Sequence, residues 1–162
     1  ASGYEKNGAV GISVLTDEYF FGGSNNDLKI VKEICKIPVL RKDFIIDEYQ
    51  IVESKSIGAD TILLIAAILS DKQILKFSKL AKELGLGVLT EIHSFEDLHK
   101  CDLTYIDIIG VNNRNLKTFN VDLKYSIEVY NKIPNEVVKI SESGIESVND
   151  VKLLIDLSLI HI

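Results

Sequence analysis

Six short apolar, β-branched runs punctuate the chain: Val10–Leu15, Pro38–Leu40 continuing into Arg41-Lys42, Thr61–Ile65, Leu86–Thr90, Ile106–Val111 and Val137–Ile140. None alternates cleanly between apolar and polar positions, which predicts strands covered on both faces, as in a parallel sheet. Between the runs the periodicity changes. Asp27–Cys35 sets Leu28, Val31, Ile34 and Cys35 on one side, and Asp71–Leu84 sets Ile74, Phe77, Leu80, Ala81 and Leu84 at helical spacing. These are amphipathic helices that cover a sheet. Ser70-Asp71, Ser94, Asn120 and Ser147 stand where N-caps belong, and Gly85 stands where the second helix should stop. Strand centres recur at roughly 20 to 31 residues, the length of a strand, a helix and two short loops.

Such a repeat either closes as an eight-fold βα barrel or stays open as a doubly wound sheet, and the polar residues at the strand ends choose between them. Thr16-Asp17-Glu18, Lys42-Asp43, Thr90-Glu91-Ile92-His93, Asn112-Asn113-Arg114-Asn115 and Ser141-Glu142-Ser143-Gly144 each close a run. Chemistry spread over the C-terminal ends of several strands is the barrel arrangement, whereas a Rossmann site concentrates glycines in its first turn. Neither GxGxxG nor GxxxxGK[ST] occurs.

The chain has 162 residues, 46% hydrophobic and 26% charged, which predicts one globular domain and excludes disorder as its main state. The longest apolar stretch, Ile62–Leu69, is eight residues, short of the roughly 18 to 20 that cross a bilayer. A net charge of −6 argues against nucleic acid as a partner, because the overall field repels phosphate backbones. Cys35 and Cys101 lie far apart without metal-site spacing, and Ala1–Lys6 lacks the basic and apolar regions of a signal peptide. The expected location is the reducing cytoplasm.

Lys42 and Glu91 provide an acid and a base on separate elements, the minimum for protonating one atom while deprotonating its neighbour. The alternative is a buried salt bridge between them. Arg114 suits bidentate binding of a carboxylate and Asn112 the orienting of a hydroxyl; equally, the Asn-rich turn could simply satisfy its own backbone. Ser143-Gly144, ahead of a helix, offers backbone N–H groups to a phosphate. Glu91 and His93, two residues apart on one strand face, raise a metal site, but no third ligand is visible and none is expected. His99 and His161 read as surface residues.

Taken in order, Ile12-Ser13-Val14-Leu15-Thr16-Asp17, Tyr19-Phe20-Phe21-Gly22-Gly23-Ser24, Pro38-Val39-Leu40-Arg41-Lys42-Asp43-Phe44-Ile45, Gly110-Val111-Asn112-Asn113-Arg114-Asn115-Leu116 and Ser141-Glu142-Ser143-Gly144-Ile145 strongly resemble the indole-3-glycerol phosphate synthase family of tryptophan biosynthesis. The resemblance covers about residues 3 to 156. It implies a (βα)8 TIM barrel that closes 1-(2-carboxyphenylamino)-1-deoxyribulose 5-phosphate to indole-3-glycerol phosphate, losing carbon dioxide and water, with no cofactor or metal. It also implies Lys42 as general acid, Glu91 as the acid/base carboxylate of the dehydration and Asn112 as a hydrogen-bonding partner of substrate hydroxyls. Arg114 would meet the anthranilate carboxylate, Glu142 and Ser143 line the pocket, Gly144 join the phosphate cradle, and Phe21 and Phe44 wall the aromatic ring.

The resemblance further implies an internal fragment of about six βα units, an incomplete barrel lacking the first and last strands, with an atypical tail over residues 157–162. Such a fragment is expected to be inactive alone. Its partner is a small phosphorylated substrate, with neither nucleic acid nor membrane involved, and the parent is monomeric or fused to another tryptophan-pathway domain. Two other readings remain: a non-catalytic barrel fragment, or another phosphate-binding barrel such as phosphoribosylanthranilate isomerase.

Overall fold

In the computed structural model, residues 1–114, 120–121, 123, 127–129, 131–156 and 160–161 are described. They fall into two compact units, the first built from Ala1–Leu64 and Leu75–Val88, the second from Ile65–Ile74 and Leu89–Ile162.

The first unit begins with α1 (Ser2–Lys6), β1 (Ile12–Leu15), α2 (Glu18–Phe21) and α3 (Asn25–Ile34). It continues with β2 (Val39–Lys42), α4 (Glu48–Ser56) and β3 (Thr61–Ile65), and takes in most of α5 (Asp71–Glu83). β1, β2 and β3 are adjacent and parallel, with Leu15 beside Lys42 and Arg41 beside Ile62. α3 packs on β1 and β2 through the fully buried Leu28. Ser24 caps it as N-cap, accepting the Asp27 N–H at 3.2 Å. Ile51, Val39, Ile62, Leu64, Phe77 and Ala81 complete a core at 4% exposure or less. Burial of such a side chain is worth roughly 1.5 to 3 kcal/mol. Asp60 ties this layer together, since its Oδ2 accepts both from Lys32 Nζ and from the Val39 N–H at 2.7 Å.

The second unit carries the end of β4 (Gly87–Ile92), α6 (Phe95–His99), a 3-10 turn at Leu103–Tyr105, β5 (Ile108–Asn112), β6 (Val138–Glu142), α7 (Val148–Asp156) and β7 (Ile160–His161). β4, β5, β6 and β7 pair in that order, all parallel. Leu89, Ile92, Ile109, Val111 and Leu154 form its core.

All six expected strands are present, most of them starting one or two residues late; of the leading residues Val10 is exposed, whereas Leu86, Ile106 and Val137 are buried but precede the strand pairing. β4 and β6 also run two residues further than their apolar runs, so Glu91 and Glu142 belong to the strands themselves. Beyond the expected six, Ile160–His161 pairs with β6. Asn120 is described, but most of the helix it was expected to cap lies outside the described residues.

Candidate functional site

Phe21, Lys42 and Phe44 lie in the first unit; Glu91, Asn112, Arg114, Glu142, Ser143 and Gly144 lie in the second. In each unit the polar candidates sit at or just beyond the C-terminal ends of parallel strands.

Lys42 is the last residue of β2 and half-buried, and its carbonyl accepts the Thr16 N–H at 3.2 Å. Its neighbours Arg41 and Asp43 point to the opposite face, by the alternation of a strand, and are 3% and 6% exposed. Arg41 spends its whole guanidinium there. Nε donates to Thr16 Oγ1 at 3.1 Å, Nη1 to Gln50 O at 3.0 Å and Ser54 Oγ at 3.1 Å, and Nη2 to Asp43 Oδ2 at 2.9 Å and Glu53 Oε2 at 2.8 Å. Thr16 Oγ1 in turn donates to Asp43 Oδ2 at 2.6 Å, and Asp43 Oδ1 accepts the Phe44 N–H at 2.8 Å. The network joins the ends of β1 and β2 to α4 and fixes the backbone on both sides of Lys42. Sequence reading passed over Arg41; the signal was an arginine set between an apolar run and a second cation.

Phe44 stacks on Phe21, with centroids 5.1 Å apart and planes at 14°, and meets Phe20 edge-on at 5.4 Å. The short α2 that presents Phe20 and Phe21 starts where Asp17 accepts the Phe20 N–H at 2.6 Å. It ends at Gly22, whose φ of 64° is left-handed.

In the second unit, register places the candidates on one face. Glu91 pairs with Gly110, and Asn112 with Glu142, so Glu91, Gly110, Asn112 and Glu142 share the same side of β4, β5 and β6. Gly110 is the gap in this row: a Cβ there would run into Glu142 Oε1. Glu91 is 3% exposed, and its Oε1 lies 3.1 Å from His93 Nε2. Among the described residues no third acid, histidine or cysteine joins them as a metal cluster.

Asn112 Oδ1 accepts the Arg114 N–H at 2.9 Å, so the Asn-rich turn does bond its own backbone while the Asn112 side chain keeps the Glu142 face of β5. Arg114 is exposed and its backbone bridges Val121. The pin is the residue between Asn112 and Arg114. Asn113, 4% exposed, donates from Nδ2 to Ser141 Oγ at 2.8 Å, Glu142 O at 3.0 Å and Ser143 O at 3.1 Å, and its N–H donates to Glu142 O at 2.9 Å.

Ser143 and Gly144 both have left-handed φ, 67° and 76°, and a Cβ on Gly144 would strike Val121. Just ahead of α7, Asp150 Oδ2 accepts the Glu146 and Ser147 N–H groups at 3.1 and 2.8 Å.

The sequence model of the indole-3-glycerol phosphate synthase family matches residues 1–159. The chain belongs to the indole-3-glycerol phosphate synthase family. It is 48% identical over 154 residues to the indole-3-glycerol phosphate synthase of Alkaliphilus metalliredigens, covering 95% of this chain and 59% of that protein. It is 49% identical over 156 residues to that of Chloroherpeton thalassium, covering 96% and 60%. The chain thus spans about three fifths of the length of these indole-3-glycerol phosphate synthases. Solved structures agree on the fold. A structure titled native KDPGal has a TM-score of 0.68 at 9% identity, covering 99% of this chain and 71% of its own. KGPDC from Streptococcus mutans has a TM-score of 0.68 at 10% identity, covering 92% and 72%. The fold of this family member is α/β, an incomplete TIM barrel.

Proposed function

We propose that the full-length protein carrying this chain is an indole-3-glycerol phosphate synthase, a carboxy-lyase that closes 1-(2-carboxyphenylamino)-1-deoxyribulose 5-phosphate to indole-3-glycerol phosphate in tryptophan biosynthesis in the cytoplasm. The observation that supports this reading best is the row at the strand ends. Glu91, Asn112 and Glu142 share one face of β4–β6, and Lys42 closes β2, in the order in which the family's motifs run.

Lys42 serves as the general acid. Its ammonium relieves charge on the ribulose carbonyl oxygen as the aromatic ring carbon attacks, by proton transfer and by electrostatic stabilisation. Loss of carbon dioxide restores the ring, and Glu91 handles the proton of the dehydration that follows. Asn112 and Glu142 orient the hydroxyls, with Ser143 beside them. Arg114 meets the carboxylate, Gly144 the phosphate, and Phe21 and Phe44 the aromatic ring. The partner is a small phosphorylated substrate, with neither nucleic acid nor membrane involved, and acid, base and cation are all supplied by side chains.

Steady-state assay of the full-length protein by indole fluorescence tests this. Lys42→Ala is expected to lower kcat about 100- to 10,000-fold with a smaller change in KM, because a general acid acts chiefly in the transition state. Wild-type turnover in that variant, correctly folded, refutes the role of Lys42. Absence of turnover in the wild-type protein refutes the function.

A further inference from the structure

The Glu91 and His93 pair is the motif that the proposed reaction uses on one side only. His93 follows β4 directly, and the side chains of His93 and Glu91 are 12% and 4% exposed, so the contact between them lies out of water, where polar interactions are stronger than at a surface. The Nε2 to Oε1 separation of 3.1 Å is within hydrogen-bond reach, although the ring is turned off the line that would complete the bond. In unliganded sites catalytic hydrogen bonds are often long or poorly aligned and tighten only in the complex with substrate. Nδ1 has no protein partner among the described residues, so nothing there competes for the orientation of the ring.

The backbone beneath the ring is held firmly. The His93 N–H donates to Asp97 Oδ2 at 3.0 Å, the Asp97 N–H to Ser94 Oγ at 3.1 Å, and Lys100 Nζ to Asp97 Oδ1 at 2.9 Å and to Ala66 O at 2.8 Å. The first turn of α6 therefore clamps the residue that carries the imidazole, and the fold sets the approach of the ring to Glu91.

We propose that His93 is a positioning residue for the Glu91 carboxylate. Its Nε2–H engages Oε1 and so turns Oε2 toward the hydroxyl that leaves as water. This rests on the reading of Glu91 as the acid/base group of the dehydration. An imidazole present only to fill space would be replaceable by an apolar side chain of similar volume; a positioning imidazole is replaceable only by a donor at the same reach.

The test uses the full-length enzyme, with thermal melting to establish folding and steady-state kinetics to read the effect. His93→Leu is expected to lower kcat about 10- to 100-fold with KM little changed, the scale of a small misplacement of a reacting group. His93→Gln, whose amide nitrogen reaches the place of Nε2, is expected to restore most of kcat. His93→Asn, one bond shorter, is expected to behave as the leucine variant does. In a Glu91→Gln background, His93→Leu is expected to cost nothing further, because two residues acting as one unit are not additive.

A folded His93→Leu enzyme with wild-type kcat overturns the proposal, as does a glutamine variant no better than asparagine, or a full additional loss in the Glu91→Gln background. If the leucine variant does not fold, the glutamine and asparagine pair decides. Full turnover in Glu91→Gln with His93 intact instead removes the role of Glu91, and the proposal falls with it by a separate observation.

Discussion

In the first unit the side chain that pins the strand end is an ion; in the second it is an amide. Arg41 and Asn113 occupy the same kind of place, buried and on the opposite face from a candidate residue next to them in sequence. Arg41 gathers Thr16, Asp43, Gln50, Glu53 and Ser54 around Lys42, whereas Asn113 gathers Ser141, Glu142 and Ser143 beside Asn112. The difference is energetic. Burying a guanidinium carries a large desolvation penalty, offset only when every N–H finds an acceptor, so the ionic pin is sensitive to loss of any partner. A buried amide carries a far smaller penalty and constrains fewer elements. The ionic version joins two strands and a helix, and the amide version joins only neighbouring strand ends.

The largest effect expected from breaking this pairing is Arg41→Ala. It strands the buried Asp43 carboxylate and should lower stability by about 3 to 5 kcal/mol, read from denaturant unfolding of the full-length protein. Arg41→Lys should recover only part of that, because an ammonium cannot reproduce the planar fork. A loss below about 1 kcal/mol for the alanine variant would mean that the network is ornamental.

Asn113→Ala should do less, about 1 to 3 kcal/mol, the cost of removing the side-chain amide that donates to Ser141 Oγ, Glu142 O and Ser143 O, while Glu142 O keeps the backbone N–H of residue 113. If this loss equals or exceeds that of Arg41→Ala, the ranking of ion over amide is wrong.

The smallest expected effect belongs to the carboxylate the second unit does use, Asp97 at the start of α6. Burial alone would raise its carboxyl, but hydrogen bonds from Lys100 and from the His93 backbone, with the nearby charges, hold it below its ordinary value of 3.8. A depressed carboxyl contributes stability that is present above 3.8 and lost as pH falls through its folded value. Asp97→Asn should therefore cost about 1 to 2 kcal/mol at neutral pH, and the gap from wild type should close in acid. A gap that persists unchanged at low pH would locate the effect elsewhere.

The strands were legible because continuous β-branched runs have few other uses, and α3 and α5 because their apolar residues recur at helical spacing. α4 was not, since it buries only Ile51 and Ser54 and its remaining positions carry little periodicity. At the site, Glu91, Asn112 and Glu142 were readable as polar residues ending apolar runs, but that they share a face depends on strand register, which is a property of pairs. Asn112 and Asn113 are indistinguishable by type and neighbourhood. Only the alternation of β5 shows that one presents its amide to the row while the other binds β6. Arg41 was missed for a related reason: its acceptors on α4 lie nine to thirteen residues away, beyond any local pattern.

The bare backbone at Gly110 bears on how inherited variants of this protein should be interpreted. Every single-nucleotide missense change from a glycine codon adds a Cβ, and here that atom meets the tip of a Glu142 side chain that can swing aside, with Leu89 Cδ2 next at 3.3 Å. The fold can absorb Gly110→Ala by small shifts, while the Glu142 carboxylate loses its place in the row. If Glu142 lines the substrate pocket as proposed, Gly110→Ala would keep abundance and melting temperature and lower turnover, so that change is visible to an assay of turnover rather than of folding.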